Sequence, residues 1–523
     1  MSGEHFDVLI RNARVVDGTG SPWFRGSLGV RGERIAAVGH LPDATADVAI
    51  DAADRYLTPG FVDAHVHAEI ALLNEPTLEA AVRQGVTSHV IGQDGISYAP
   101  GGAAMVDEMT AYFAAVNGEP TVPLTEASVE GFLDRFDRTV AANVAYLVPH
   151  GCIRAEAMGL DARAPTDTER SRMQALVAEG MQGGAVGVST GLDYVPCRHA
   201  ETEELVAIAR SAAAHGGVFV AHMRAYGERV RIGMDEMYRI AREASAAVHV
   251  SHFNVPAAEG LAIVDQGRRE GLDVTYDLYP YLAGSSTLML WLPNDLHVGS
   301  VASMLAALRS RAGRERAAGW FEGEAEDRLV GVRFSHLTRP EHQRFVGMTP
   351  HEAAQAAGSA LGTFLVDLLV SEDLKPGVVA SFATSRTEAD LQELMRHPAM
   401  MAGSDGIYVG ANPHPRGWGA FVRYLATYVR DRGVMPLEDA VRRMTSFPAR
   451  RFGLAERGLL TPGAFADLVL FDLDALHERA TYDHARAFAQ GIDHVVVNGR
   501  PVLWDGEITG ATPGRPAGRG GRP

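Results

Sequence analysis

Lysine is nearly missing from this chain. Lys375 is the only one, so the other basic residues among the 48 Lys and Arg are arginines. Chemistry that needs an amine side chain, whether a Schiff base or a carbamylated lysine bridging two metals, must use Lys375 or be absent. Its setting, Glu372-Asp373-Leu374-Lys375-Pro376-Gly377, predicts an exposed turn. Cysteine is almost as scarce: Cys152 and Cys197 are too few for a disulfide framework or a cysteine-based zinc cluster. No run of eighteen apolar residues occurs, and the start, Met-Ser-Gly-Glu-His-Phe-Asp, lacks the basic and apolar parts of a signal peptide, so a cytoplasmic protein without a membrane partner is expected. Cations are outnumbered as well. A formal net charge of −17 argues against nucleic acid or an anionic membrane as partner.

What is present is an ordinary globular composition, 46% hydrophobic and 22% charged over 523 residues, enough for a large core. Short β-type runs open the chain at Phe6–Ile10, Ala13–Val16, Ser27–Val30 and Arg34–Val38. Similar runs close it at 466–471 and in a hairpin, His494–Val497 and Pro501–Trp504 joined by Asn498-Gly499. Strand clusters at both ends predict a small β-sandwich built from residues 1–59 and 448–510, with a larger domain, 60–447, between them. The Gly-, Pro- and Arg-rich stretch 511–523 is expected to be disordered.

In the central region apolar runs alternate with helical patterns, such as 203–215 and 228–244, as repeated βα units require. The candidate strands are Phe61–His67, Val86–Gln93, Val144–Pro149, Ala185–Ser189, Val218–His222, Ala247–His252, Leu272–Asp277 and Met400–Ser404. Eight is the number that closes a (β/α)₈ barrel, and the fold class is therefore α/β with a terminal β-sandwich. Two further runs, Leu329–Phe334 and Val378–Phe382, are assigned to an insertion of about 285–385 over the barrel mouth.

Polar residues at the strand ends suggest the chemistry. His65 and His67, two apart on the first strand, share a face and make half a metal site. Asp94 follows the second strand, His222 ends the fifth, His252 ends the sixth and Asp405 follows the eighth. In such a barrel the strand ends share one rim, so these six side chains converge as candidate ligands. Asp63 is expected to orient the first strand through buried hydrogen bonds.

These residues, with Gly60-Phe61-Val62-Asp63-Ala64-His65-Val66-His67 and Gly403-Ser404-Asp405-Gly406, resemble the amidohydrolase superfamily. Gly85-Val86-Thr87, Ser189-Thr190-Gly191-Leu192, Ala221-His222-Met223-Arg224, Tyr279-Pro280-Tyr281 and His414-Pro415-Arg416-Gly417-Trp418-Gly419 look more specifically like the N-acyl-D-amino-acid deacylases. The resemblance implies hydrolysis of N-acyl amino acids with one or two zinc ions. It implies that His222, His252 and Asp94 hold the principal metal, and that His65, His67 and Asp405 form a second position. Asp405 would be the catalytic base, Arg416 the carboxylate grip, and Tyr194, Tyr279 and Ser285 further substrate contacts. Two positions depart from the family pattern: Asp94 stands where a cysteine is usual, and Asn254 where a lysine is frequent. A deacylase for another N-acyl amine (of L-, β- or Nε-acyl-lysine type), a cyclic-amide hydrolase and a non-catalytic barrel scaffold are the alternatives.

Overall fold

The structure is a computed structural model and describes residues 4–323, 325–381 and 386–518. Eight parallel strands run in the order Met400–Ala402, Val274–Leu278, Ala247–Val250, Val218–His222, Gly187–Gly191, Asn143–Pro149, Val86–Ile91 and Phe61–Asp63. The two outer strands meet through Ala64 N donating to Ala402 O at 3.3 Å, which brings the sheet around on itself. All eight expected strands are present. Val86–Ile91 and Asn143–Pro149 are buried at every position, as strands must be that face the barrel interior on one side and helices on the other. Val62, Ala64, Val90, Leu147, Val220 and Met401 pack together inside.

The first strand stops earlier than expected. After Asp63 the backbone turns, and Val66–His67 forms a separate parallel pair with Gly406–Ile407. Asp63 accounts for the break: its Oδ1 accepts from Ser404 N at 2.8 Å and His65 N at 3.3 Å, and its Oδ2 from Ser404 Oγ at 2.5 Å. Burial pushes Asp63 up to about 7 even though these donors oppose the shift.

Both ends of the chain contribute to one nine-stranded sheet. The two opening runs form one strand, His5–Val15, whose register shifts between Ile10 and Ala13, with Asn12 left-handed at φ 54. Before that shift its free edge pairs with Thr45–Asp51, and after it with Tyr56–Pro59. The C-terminal hairpin joins Ile492–Val497 to Arg500–Trp504 through Asn498 (φ 48) and Gly499 (φ 73), the two left-handed positions of a type I′ turn.

The segment after Gly510 differs from expectation. Residues 511–518 are ordered and run along the barrel end opposite the His- and Asp-bearing rim. Val144 N donates to Arg515 O at 2.9 Å, Ala517 N to Val144 O at 2.7 Å, and Ala517 enters the barrel interior cluster. Composition misled because the chain needs no apolar run there: it satisfies backbone groups at the start of a buried strand. The remaining tail, 519–523, lies outside the described residues, as do Phe382 and 383–385 of the insertion. Within the insertion, Ala283–Thr287, Gly377–Ser381 and Val332–His336 form a three-stranded antiparallel sheet. Lys375 is half-buried rather than exposed and pairs with Glu119. No single helix among the described residues is long and apolar enough to cross a membrane.

Candidate active site

At the C-terminal ends of the strands lies a cavity of about 800 Å³. Its wall carries His67, Asp94, His222, His252 and Asp405 together with Arg416, Tyr194, Tyr279, Asn254 and Ser285, and His65 lies buried behind them. The six candidate ligands thus converge. His65 Nε2 stands 3.8 Å from Asp94 Oδ1 and 3.6 Å from Asp405 Oδ1; His67 Nε2 stands 3.7 Å from Asp94 Oδ2 and 3.3 Å from Asp405 Oδ1. His222 Nδ1 is 3.5 Å from Asp94 Oδ2 and 3.0 Å from His252 Nε2.

Local backbone sets this convergence. Asp94 (φ 55), His252 (φ 34) and Asp405 (φ 50) are all left-handed, and each such residue costs roughly 1–3 kcal/mol of strain that the surroundings must hold. Ser189 Oγ, on the fourth barrel strand, does so for Asp94: it donates to Gly92 O and accepts from Gly95 N at 3.0 Å. Gly191 is needed beside it, because a Cβ there would fall 2.2 Å from Asp94 O. Asp405 N donates to His65 O at 2.7 Å, which ties the eighth-strand loop to the first-strand histidines.

The donor set fits a divalent metal. Two groups, His65/Asp94/His252 and His65/His67/Asp405, each bring their ligand atoms within 4.8 Å of one another. His65 Nε2 and Asp94 Oδ1 are buried and have no hydrogen-bond partner among the described residues, a costly state for polar atoms unless a cation takes their lone pairs. The grouping differs from that implied by resemblance in one respect. His65 stands with Asp94 and His252, whereas His222 turns its second nitrogen, Nε2, to Asp193 Oδ2 at 3.1 Å.

Burial works against charge on Asp405, but Arg416 and His65 outweigh it and hold the carboxyl down to about 2. Asp94 is likewise held well below the usual carboxylate range despite burial, by His222 and His252. Burial pulls His222 down, but Asp193 and Asp94 bring it up to about 10.

Residues 48–279 and 321–503 match the Amidohydrolase family. The chain belongs to that family. This amidohydrolase is 37% identical over 507 residues to the N-acyl-D-glutamate deacylase of Alcaligenes xylosoxydans xylosoxydans, covering 96% of this chain and 94% of that one. The D-aminoacylase of the same organism is 34% identical over 530 residues, with 98% and 97% covered. A solved N-acyl-D-glutamate deacylase from Bordetella bronchiseptica, complexed with zinc and a phosphonate that mimics the reaction's tetrahedral intermediate, aligns with a TM-score of 0.84 at 33% identity, covering 98% of this chain and 100% of that one. L-Hydantoinase from Arthrobacter aurescens, at 17% identity and TM-score 0.58, shares the fold alone.

In the amidohydrolase site, Arg416 lies 1% exposed, with Nη1 2.7 Å from Asp405 Oδ2 and its guanidinium over the Tyr279 ring at 4.6 Å. Its Nε and Nη2 have no partner among the described residues. His414 orients it, accepting from Arg416 N at 3.0 Å. Tyr279 Oη accepts from Asn254 Nδ2 at 2.9 Å, and the Tyr194 ring packs edge-on against His222. Ser285 lines the cavity, but its hydroxyl donates to Val378 O at 3.1 Å. Sequence reasoning missed Asp193, His249 and Asp277. Asp277 carried the signal used for the other ligands, a carboxylate at a strand end, while Asp193 sits in a loop and had none.

Proposed function

We propose that this amidohydrolase uses zinc to hydrolyse the amide of N-acyl-D-amino acids, releasing a carboxylic acid and the free amino acid. The observation that carries the reading is the placement of Arg416. It lines the same cavity as the imidazole–carboxylate cluster and keeps two buried N–H groups without a partner among the described residues, beside the carboxylate best suited to move a proton. Its guanidinium can grip the substrate's carboxylate through paired hydrogen bonds and hold the acyl carbonyl over the cluster. His65, His67, Asp94, His222, His252 and Asp405 would hold the zinc, which when bound would supply Lewis acidity and lower the pKa of a water toward about 7. Asp405, ionised at neutral pH, takes a proton from the attacking water at Oδ1 and delivers it to the leaving nitrogen. Tyr279 and Tyr194 wall the cavity.

The cyclic-amide alternative draws no support from the site. The fourth barrel strand, Gly187–Gly191, contains no lysine, and Lys375 is paired with Glu119 outside the cavity wall. The deciding test is a hydrolysis panel of paired D- and L-N-acyl amino acids, with zinc measured on the same preparation. Amine release from D substrates by zinc-bearing protein is expected; turnover of L substrates only, or none with stoichiometric zinc bound, would overturn it.

A further inference from the structure

Inside the barrel, below the candidate ligands, a line of polar side chains runs where apolar packing is the rule. His249 and Thr275 stand opposite each other on neighbouring strands, and Thr275 and Asp277 share a face of the second of these. Thr275 Oγ1 is 2.8 Å from His249 Nδ1, and His249 Nε2 is 3.0 Å from Asp277 Oδ2. The same Oδ2 lies 3.3 Å from His65 Nδ1, while Oδ1 accepts from His252 N at 2.8 Å. Asp277, His249 and His65 are all 0% exposed. Burying this much polarity is costly unless every group is satisfied, so a bare packing role is a poor account of it.

We propose that Asp277, anchored by His249, is the positioning residue of the metal site, fixing one ligand by its side chain and another by its backbone. The proposal rests on the reading of His65 and His252 as ligands. At Oδ2 the carboxylate accepts the Nδ1 proton of His65, which leaves the Nε2 lone pair directed at Asp94 and Asp405. At Oδ1 it holds the His252 amide and with it the left-handed turn that aims the His252 ring. His249 is not a ligand, since both its nitrogens are engaged below the site. Its Nε2 proton goes to Asp277, and the Thr275 hydroxyl donates to Nδ1. One carboxylate thereby couples ligands 187 positions apart.

The test uses the full-length protein stripped of metal and titrated with zinc against a chromophoric chelator. Asp277→Asn keeps the shape and the acceptor for His252 N, but its amide donates toward His65 Nδ1 and drives the proton onto Nε2. Zinc affinity is expected to fall about 10- to 100-fold. The visible spectrum of the cobalt(II)-loaded variant is expected to change as well, which a merely structural substitution would not cause. His249→Gln, which retains a donor to Asp277, serves if Asp277→Asn does not fold, and should lower zinc affinity in the same direction by a smaller factor. Wild-type zinc affinity and an unaltered cobalt spectrum in either folded variant would overturn the proposal. A wild-type protein that binds no zinc would overturn the underlying reading of the ligands instead.

Discussion

Arg416 and Asp405 face each other across 2.7 Å inside a cavity wall where both are almost completely buried. The pair ties the proposed substrate grip to the proposed proton carrier, so a change in one must appear in the other. Replacing Arg416 by Gln removes the main influence holding Asp405 low against the pull of burial. The carboxyl should then titrate at higher pH, and the acid limb of kcat/KM should move upward. The loss of a buried charged partner, about 2–5 kcal/mol, corresponds to a fall of about 30- to several-thousand-fold in kcat/KM. A pH–rate profile that keeps its acid limb with a normal KM would show that Arg416 does neither job.

Asp405 itself is the cleaner probe of proton movement. Asn accepts the left-handed φ of 50 as readily as Asp, so Asp405→Asn should fold normally. Turnover should drop by about 10²- to 10⁴-fold, the usual share of general acid–base catalysis. Near-wild-type kcat in that variant would place the proton carrier elsewhere.

Asp94→Asn tests the metal in the same way. The amide preserves the left-handed turn at φ 55 but removes the charge shared by His65, His67, His222 and His252. Purified Asp94→Asn should contain substoichiometric zinc. In the wild type, chelation should abolish activity and added zinc should restore it. Full zinc content in the variant would make Asp94 dispensable for binding.

Much of this site was legible because a parallel barrel converts strand order into proximity: once each strand's last residue is known, its rim neighbours follow. His65, His67, His222 and His252 needed only that rule, and Asp94 and Asp405 one residue of overshoot. The same rule held for the barrel core, where continuous apolar runs leave little choice of face. What escaped had no periodic signal. Thr45–Asp51, with Val48 40% exposed, is an edge strand recruited by the bulge in His5–Val15, and its sequence does not alternate like a half-buried strand. His249 reads as an interruption of an apolar strand, and Asp277, although a strand-end carboxylate, is recognisable as its partner only when both are in view. Asp193 depends on a loop conformation that spacing does not encode.

A second buried network stands behind the Asp94 loop and gives a pH prediction. His150 Nε2 lies 2.8 Å from Glu204 Oε1, and Arg154 pairs with the same carboxylate's other oxygen. Burial lowers His150, but Cys197 and Glu204 outweigh it and bring the imidazole up to about 9. A folded-state pKa above the unfolded value of about 6.5 contributes stability that is complete below pH 6.5 and is lost as pH rises through 9. The urea midpoint should therefore fall between pH 7 and pH 10. Glu204→Gln should flatten that slope while costing about 3–5 kcal/mol, because it leaves Arg154 buried without its counter-charge. Equal alkaline slopes in both proteins would remove His150 from the account.

The C-terminal segment offers a prediction that separates stability from catalysis. Gly514 O accepts from Arg138 N, Gly514 N donates to Val140 O, and Pro513 O accepts from Asn498 Nδ2 at 2.7 Å; with the two bonds to Val144, these are five contacts that a chain ending at Gly510 loses. At about 0.5–1.5 kcal/mol each, with Val144 N and Asn498 Nδ2 left without those partners, the cost should reach about 3–5 kcal/mol. Ala517→Asp should approach the same penalty by placing a carboxylate among Val62, Leu147 and Met401. Both changes lie at the barrel end opposite Asp405, so kcat at 25 °C should stay within about twofold while the urea midpoint drops, additivity holding for sites so far apart. An unchanged midpoint after truncation at Gly510 would mean that the segment rests on the barrel without supporting it, and that Val144 finds its partners elsewhere.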